Sequence, residues 1–310
     1  MLIHLLGPVA ISQGGAPPQP LRSARERHLL ALLAWTPNTY MSDGQVIEEM
    51  WEEDRLPARP RDTLYTHASR LRRLLRPNGP GGGYDAECCL VRRDGGYVLA
   101  VDPDVIDLHR ARRLCAEAHA LVRTGQREAA LLLFEDALAP AAGTPLADLG
   151  SPWAARARWS AERDLIAARL GHARLALELG RHAEAVPVLS RLADRHPLDE
   201  GIAEMLMRAL CLSGRPAEAL TCFHTLRKAL VDALGQGPAG PVAELYEQLL
   251  RLPGSSPPRT PGTPRSSLHP PSRSSAATAT GPGKSGDRSG RHSGAVRGTP
   301  VPPPTERTSP

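Results

Sequence analysis

The stretch "RDTLYTHASRLRRLLRP", residues 61–77, decides how the first hundred residues are read. At roughly 100° per residue, with Leu64 at zero, Ala68, Leu71 and Leu75 all fall within roughly 40° of it. The stretch is therefore an amphipathic helix closed by Pro77, with Leu74 flanking its apolar stripe. Opposite the stripe lie Thr66, Ser69, Arg70 and Arg73, and Tyr65, Arg72 and Arg76 occupy one shoulder. Such a face is either an ordinary solvated surface or a contact for nucleic acid. Two details favour contact. No acidic residue stands between Thr63 and Arg76, so these arginines lack carboxylate partners one helical turn away. The hydroxyl residues are weak helix formers, so helix propensity alone does not account for them.

The surroundings supply the rest of a fold. Upstream, "LIHLLG" and "VAIS" read as short strands, followed by a Pro/Gly-rich turn and a third strand near Leu21. Ser23 and Glu26 form a capping box that opens a helix to about Trp35, with Leu29, Leu30, Leu32 and Leu33 facing a core. Ser42 and Gln45 form a second box, and Val46, Ile47, Met50 and Trp51 give the next helix its apolar face. Pro60 suits the first turn of the third helix. Downstream, "ECCLVR" and "GYVLAV" are joined through "RDGG", whose Asp-Gly pair signals a hairpin with Arg92 and Arg93 at its tip. Three helices and a β-hairpin describe a winged helix-turn-helix, with the third helix the one that enters the major groove.

The order of these elements, "RLRRLL" at the end of the third helix and "GGYVL" after the wing resemble the DNA-binding domain of OmpR/PhoB-type regulators. The following "VDPDVIDLHR" narrows the resemblance to the Streptomyces antibiotic regulatory protein family, transcriptional activators of biosynthetic gene clusters. The resemblance implies that Tyr65, Thr66, Ser69 and Arg70 face base edges and that Thr63, His67, Arg72 and Arg73 meet phosphates. His67 also reads as a partly buried neighbour of Leu64 and Leu71. Val98 stands where the family often carries a basic residue after the wing tyrosine, so a minor-groove contact falls to Arg92 or Arg93. Asp62 stands at an often basic position, where an acid suits the positive end of a helix.

Residues 105–252 are helical, alanine-rich and repetitive. "TGQREAALLLFEDALA", "LGRHAEAVPVLSRLAD" and "SGRPAEALTCFHTLRK" share one template. Gly125, Gly180 and Gly214 each precede an alanine by five residues (Ala130, Ala185, Ala219) and a bulky residue by nine (Phe134, Leu189, Phe223). The last two glycines lie 34 residues apart, the tetratricopeptide period, with Pro197 placed as in that repeat. Small residues let paired helices approach, and bulky ones fill the gap to the next pair. A longer insertion, "GTPLADLGSPWAARARWSAERD", separates the first repeat from the second. In the resembled family this segment is the bacterial transcriptional activation domain. The likeness runs through "AELYEQLLR", with "GQGPAGP" degraded from the family's Glu-Pro-Gly-Pro motif.

Residues 253–310 are Pro, Ser, Gly, Thr, Ala and Arg with almost no large apolar residue, a composition that reads as a disordered tail. This tail carries a net charge of +6 against +5 for the chain, leaving −1 for residues 1–252, so the basic character says nothing of the folded part. Within it "TATGPGKS" mimics a phosphate-binding loop but lacks the first glycine and a preceding strand. The five cysteines, with no CxxC, read as reduced and mostly buried thiols, Cys88 and Cys89 as strand residues. No metal site, cofactor, catalytic constellation, signal peptide or membrane span is expected, which places the chain among cytoplasmic non-enzymes.

The expected fold is thus mainly α. It comprises a winged helix-turn-helix domain (1–104), an all-α tetratricopeptide-like activation domain (105–252) and a disordered basic tail. The expected function is sequence-specific transcriptional activation, with promoter direct repeats in double-stranded DNA and RNA polymerase holoenzyme as partners and a homodimer on DNA. A fragment of residues 1–104 is expected to carry the sequence preference. The competing expectation is a helical-repeat interaction scaffold with a non-functional winged domain, which salt-dependent DNA binding separates from the first. A phosphorylated response regulator is not expected, because the winged domain begins at residue 1.

Overall fold

Leu2–His4 (β1), Ala10–Ser12 (β2) and Gln19–Pro20 (β3) form an antiparallel sheet that opens the chain. The computed structural model describes residues 1–51, 56–76, 89–141 and 143–251. Cys88, Pro77, the residue 253–310 tail and its "TATGPGKS" stretch lie outside them. Three helices follow: Ala24–Trp35 (α1), Asp43–Met50 (α2) and Pro60–Leu74 (α3). Helix α1 is buried from His28 to Ala34, because α3, the first sheet and later helices surround it. The Ser42–Gln45 capping box is complete, whereas at Ser23 only one half forms, the Ser23 hydroxyl accepting the Glu26 N–H. The Glu26 carboxylate has left its cap and points toward α3, a correction with consequences for the site below.

The wing is a three-stranded sheet. Leu90–Arg93 (β5) pairs with Gly96–Leu99 (β6) around Asp94 and Gly95, both with positive φ, as a two-residue hairpin requires. Met41–Ser42 (β4) pairs with the other edge of β6, a strand too short for sequence alternation to reveal. Backbone approach there is close enough that a Cβ on Gly96 would sit 2.4 Å from the Met41 carbonyl. Cys89 precedes β5 rather than lying in it, and Cys89, Cys115, Cys211 and Cys222 are free and half-buried rather than fully buried.

Beyond a 3-10 turn at Pro103–Val105, the chain is helical. The helices are Asp107–Arg123 (α4), Arg127–Leu138 (α5), Pro152–Glu178 (α6), His182–Arg195 (α7), Glu200–Leu212 (α8), Pro216–Leu234 (α9) and Gly240–Leu250 (α10). Gly125, Gly180 and Gly214 end α4, α6 and α8 at φ of 81°, 76° and 74°. The residue after each returns its N–H to the helix, for example Arg181 to the Ala176 carbonyl at 2.8 Å. Ala130, Ala185 and Ala219 are fully buried, as are Phe134 and Leu189, with Phe223 nearly so. Phe134 packs into a notch that exists because residue 171 of α6 is glycine; a Cβ there would lie 2.8 Å from the ring.

The insertion between the first two repeats docks on the winged domain. Leu146, Leu149, Trp153 and Ala157 share one hydrophobic core with Leu5, Val9, Leu30 and Leu33. No break in packing falls at residues 104/105, where the sequence suggests a boundary.

Candidate nucleic-acid interface

Helix α3 begins at Arg59 without a side-chain cap, carries Pro60 at its first position and buries Leu64, Ala68 and Leu71, with Leu75 buried at its end. That stripe fixes the rotation of the helix. Thr66, Ser69, Arg70, Arg73 and Arg76 are turned to solvent. The Thr66 hydroxyl donates to the Asp62 carbonyl at 3.0 Å, and Thr63 donates to Arg59 at 2.9 Å. Both hydroxyls are thus satisfied within the helix backbone. Asp62 sits in the first turn, where its charge suits the helix dipole.

Arg70 is 54% exposed, yet its guanidinium lies 3.9 Å from Glu26, a buried carboxylate of α1. The carboxylate missing from α3 therefore comes from another helix. The same carboxylate lies 3.9 Å from His67 Nδ1. His67 is only 14% exposed and turns toward α1, away from the outer face where a phosphate contact would need it. Burial lowers its pKa against the opposing pull of Glu26, so the ring is held neutral near pH 7.

Tyr65 also departs from a position at base edges. Its hydroxyl donates to Asp43 Oδ2 at 3.0 Å and accepts from Arg92 at 2.5 Å. The Arg92 guanidinium lies 3.8 Å from the Tyr65 ring centre and 3.5 Å from Asp43. Arg92 is thereby folded back onto α3 instead of reaching outward from the wing. Arg72 turns the same way, its Nε donating to the Leu90 carbonyl at 2.9 Å beside the buried Tyr97 ring. Asp43, Tyr65, Arg72 and Arg92 together fasten the wing to α3, while Arg93 stays exposed at the hairpin. Gln13 secures the far end by donating to the Leu74 carbonyl at 3.0 Å.

Of the residues singled out in the sequence, the structure places Thr66, Ser69, Arg70 and Arg73 on one exposed face of α3. Thr63, Tyr65, His67 and Arg72 are half-buried. The contacts that Glu26, Asp43 and Gln13 make with α3 escaped sequence reasoning because their partners lie far along the chain.

The clamp has a testable consequence. Tyr65→Phe removes one donor to a buried carboxylate and one acceptor for Arg92, which costs roughly 1.5 kcal/mol of stability. DNA affinity should fall by the same factor on every sequence. Urea unfolding and binding to a panel of single-base variants check this; a changed preference at one base pair would return Tyr65 to base reading.

Residues 20–99 match the family described as transcriptional regulatory protein, C terminal, and residues 106–250 match the bacterial transcriptional activator domain. The chain is 33% identical to Regulatory protein DnrI of Streptomyces peucetius over 261 residues, covering 81% of this chain and 92% of that protein. This chain belongs to the Streptomyces antibiotic regulatory protein family. The family unites DNA-binding transcriptional regulators of antibiotic biosynthesis. Regulatory protein AfsR of Streptomyces griseus, another relative, is 36% identical over 229 residues, but this chain spans only 22% of its length. Among solved structures, Mycobacterium tuberculosis EmbR in complex with a low-affinity phosphopeptide aligns with a TM-score of 0.71 at 27% identity. That alignment covers 81% of this chain and 65% of EmbR. Among the described residues of this family member, no helix is long and apolar enough to cross a membrane.

Proposed function

We propose that the chain is a cytoplasmic, pathway-specific activator that reads promoter direct repeats as a homodimer and recruits RNA polymerase holoenzyme through its helical array. The observation that carries the reading is the exposed face of α3. Thr66, Ser69, Arg70 and Arg73 stand free of intrahelical carboxylates on a helix whose rotation its buried stripe fixes. Arg70 is the base-reading residue, oriented from behind by Glu26. Ser69 and Thr66 meet base edges, Arg73 meets phosphates, as does Thr63 once its hydroxyl turns from the Arg59 carbonyl, and Arg93 is the wing residue that reaches the minor groove. Tyr65, Arg72 and Arg92 act by position, and His67 supports the helix from inside.

Arg70→Ala should cost about 1–3 kcal/mol at the specific site and relax the preference at one base pair. Equal losses on specific and random DNA would demote Arg70 to a phosphate contact. On paired repeats, inserting half a helical turn should abolish cooperative binding, since dimers match half-sites about one turn apart. Gel-shift titrations across a spacer series read this directly, and unchanged cooperativity would remove the homodimer from the reading.

A further inference from the structure

Several helix arginines pair with an acid: Arg112 with Asp164, Arg127 with Glu178 and Arg208 with Glu204. A cluster between α6 and α7 gathers arginines around one cavity without such pairing. Arg169 and His172, three residues apart on α6, line the same cavity as Arg191 and Arg195, four apart on α7. The cavity has a volume of about 510 Å³, within the range of small-molecule sites. Among the described residues Arg191 and Arg195 have no ion pair, and Arg169 donates only to the Ala141 carbonyl at 3.0 Å. The acid lining the cavity, Glu135, lies 3.5 Å from His172 Nε2, while His172 Nδ1 is buried without a hydrogen-bond partner. Asp194, between the two α7 arginines in sequence, lines a different groove formed with α8 and α9. Burial lowers the Arg169 pKa, and the charges of the solvent-exposed Arg195 and Arg191 push it the same way, as neighbouring guanidiniums do.

Three guanidiniums against one carboxylate leave a surplus suited to a dianion. The floor beside them is apolar, formed by Leu138, Val188 and Leu192. We propose that this cavity binds a small organic dianion, such as a phosphate monoester, its head gripped by Arg169, Arg191 and Arg195 and its apolar body on Leu138, Val188 and Leu192. Guanidinium forks match phosphate oxygens two at a time, and displaced repulsion adds to the attraction.

The test uses the full chain with phenyl phosphate, inorganic phosphate and chloride at matched ionic strength. Phenyl phosphate should raise the melting temperature and bind about tenfold more tightly than inorganic phosphate by calorimetry. Arg191→Ala combined with Arg195→Ala should weaken that binding at least tenfold, keep the helical circular dichroism spectrum and melt no lower than the parent without ligand. The single change Arg195→Gln should give the same signs at smaller size. Phenyl phosphate binding that is absent, no tighter than inorganic phosphate or unaltered in the variants would overturn the assignment. A fall of several degrees in the variants' own melting temperature would do the same by marking the arginines as structural. So would a reduced salt dependence of DNA binding in the double variant, because the arginines would then be gripping DNA phosphates.

Discussion

A fragment ending at residue 104 is expected not to fold as a cooperative unit, although every residue proposed to read bases lies before residue 100. The frame that holds those residues continues past the cut. The Asp107 carboxylate accepts the N–H groups of Leu5 at 2.8 Å and Leu6 at 3.3 Å. The Leu5 carbonyl accepts from Leu146 at 3.0 Å, and Val9 donates to Asp148 at 2.9 Å. Ile106 bridges Ile3, and Asp148 pairs with Arg27 of α1 at 2.6 Å. Trp153 packs edge-on against Trp35 and lies 5.5 Å from the His28 ring. Ile3, Leu5, Leu6 and Val9 are fully buried in the intact chain. Each large side chain laid open costs roughly 1.5–3 kcal/mol. Each stranded N–H adds roughly 1–3 kcal/mol. A handful of these exhausts the roughly 5–15 kcal/mol that holds a typical domain folded. Urea titration followed by circular dichroism should show no sigmoidal transition for residues 1–104 and a clear one for residues 1–251. A cooperative transition in the short fragment, with specific DNA binding intact, would show that the shared core is dispensable.

That expectation reverses one drawn from sequence, and the reason is physical. Periodicity reports which face of an element is buried, and it did so well here: Leu64, Ala68, Leu71 and Leu75 are all in the core. Local turn chemistry was equally legible, as Asp94-Gly95 and the glycines at 125, 180 and 214 show. Periodicity does not say which element a buried face meets. The seam bonds join residues 102 and 139 positions apart, and nothing near Leu5 or Val9 announces Asp107 or Asp148. The proposed recognition surface divides along the same line. Thr66, Ser69, Arg70 and Arg73 lie opposite the stripe and are exposed, as the wheel requires. Tyr65, Arg72 and Arg92 sit on shoulders or edges, where long side chains choose between solvent and a neighbour. Partners 22, 18 and 49 residues away drew them inward. Glu26 shows that one local motif can compete with a distant one. Its spacing from Ser23 fits a capping box, but its carboxylate lies 3.9 Å from both Arg70 and His67 instead of returning to the Ser23 N–H.

The same seam should make the protein acid-sensitive above the usual range of carboxylate titration. His28 is fully buried at the seam, its Nε2 3.2 Å from the Ser151 hydroxyl and its ring beside Trp153. Ser151 also caps α6 by accepting from Ala154 at 3.1 Å, so one hydroxyl serves both the cap and the histidine. Burial, reinforced by the Arg25 charge, lowers the His28 pKa from 6.5 to about 4. Between those values the unfolded chain takes up a proton that the folded chain refuses. The stabilising contribution of neutral His28 is therefore complete above about pH 6.5, shrinks as pH falls and is gone below about pH 4. The part lost by pH 4.5 is about 2.5 kcal/mol. His67 and His109 shift in the same direction, also chiefly by burial, and add to the slope. His28→Phe keeps a ring against Trp153 and removes the titration. Carboxylates contribute equally to parent and variant, so the comparison isolates His28. The stability difference between pH 7 and pH 4.5, measured by urea unfolding, should be smaller in the variant by about 2.5 kcal/mol, whatever the variant loses at pH 7. An identical pH dependence in the two proteins would place the acid sensitivity elsewhere and leave His28 as packing alone.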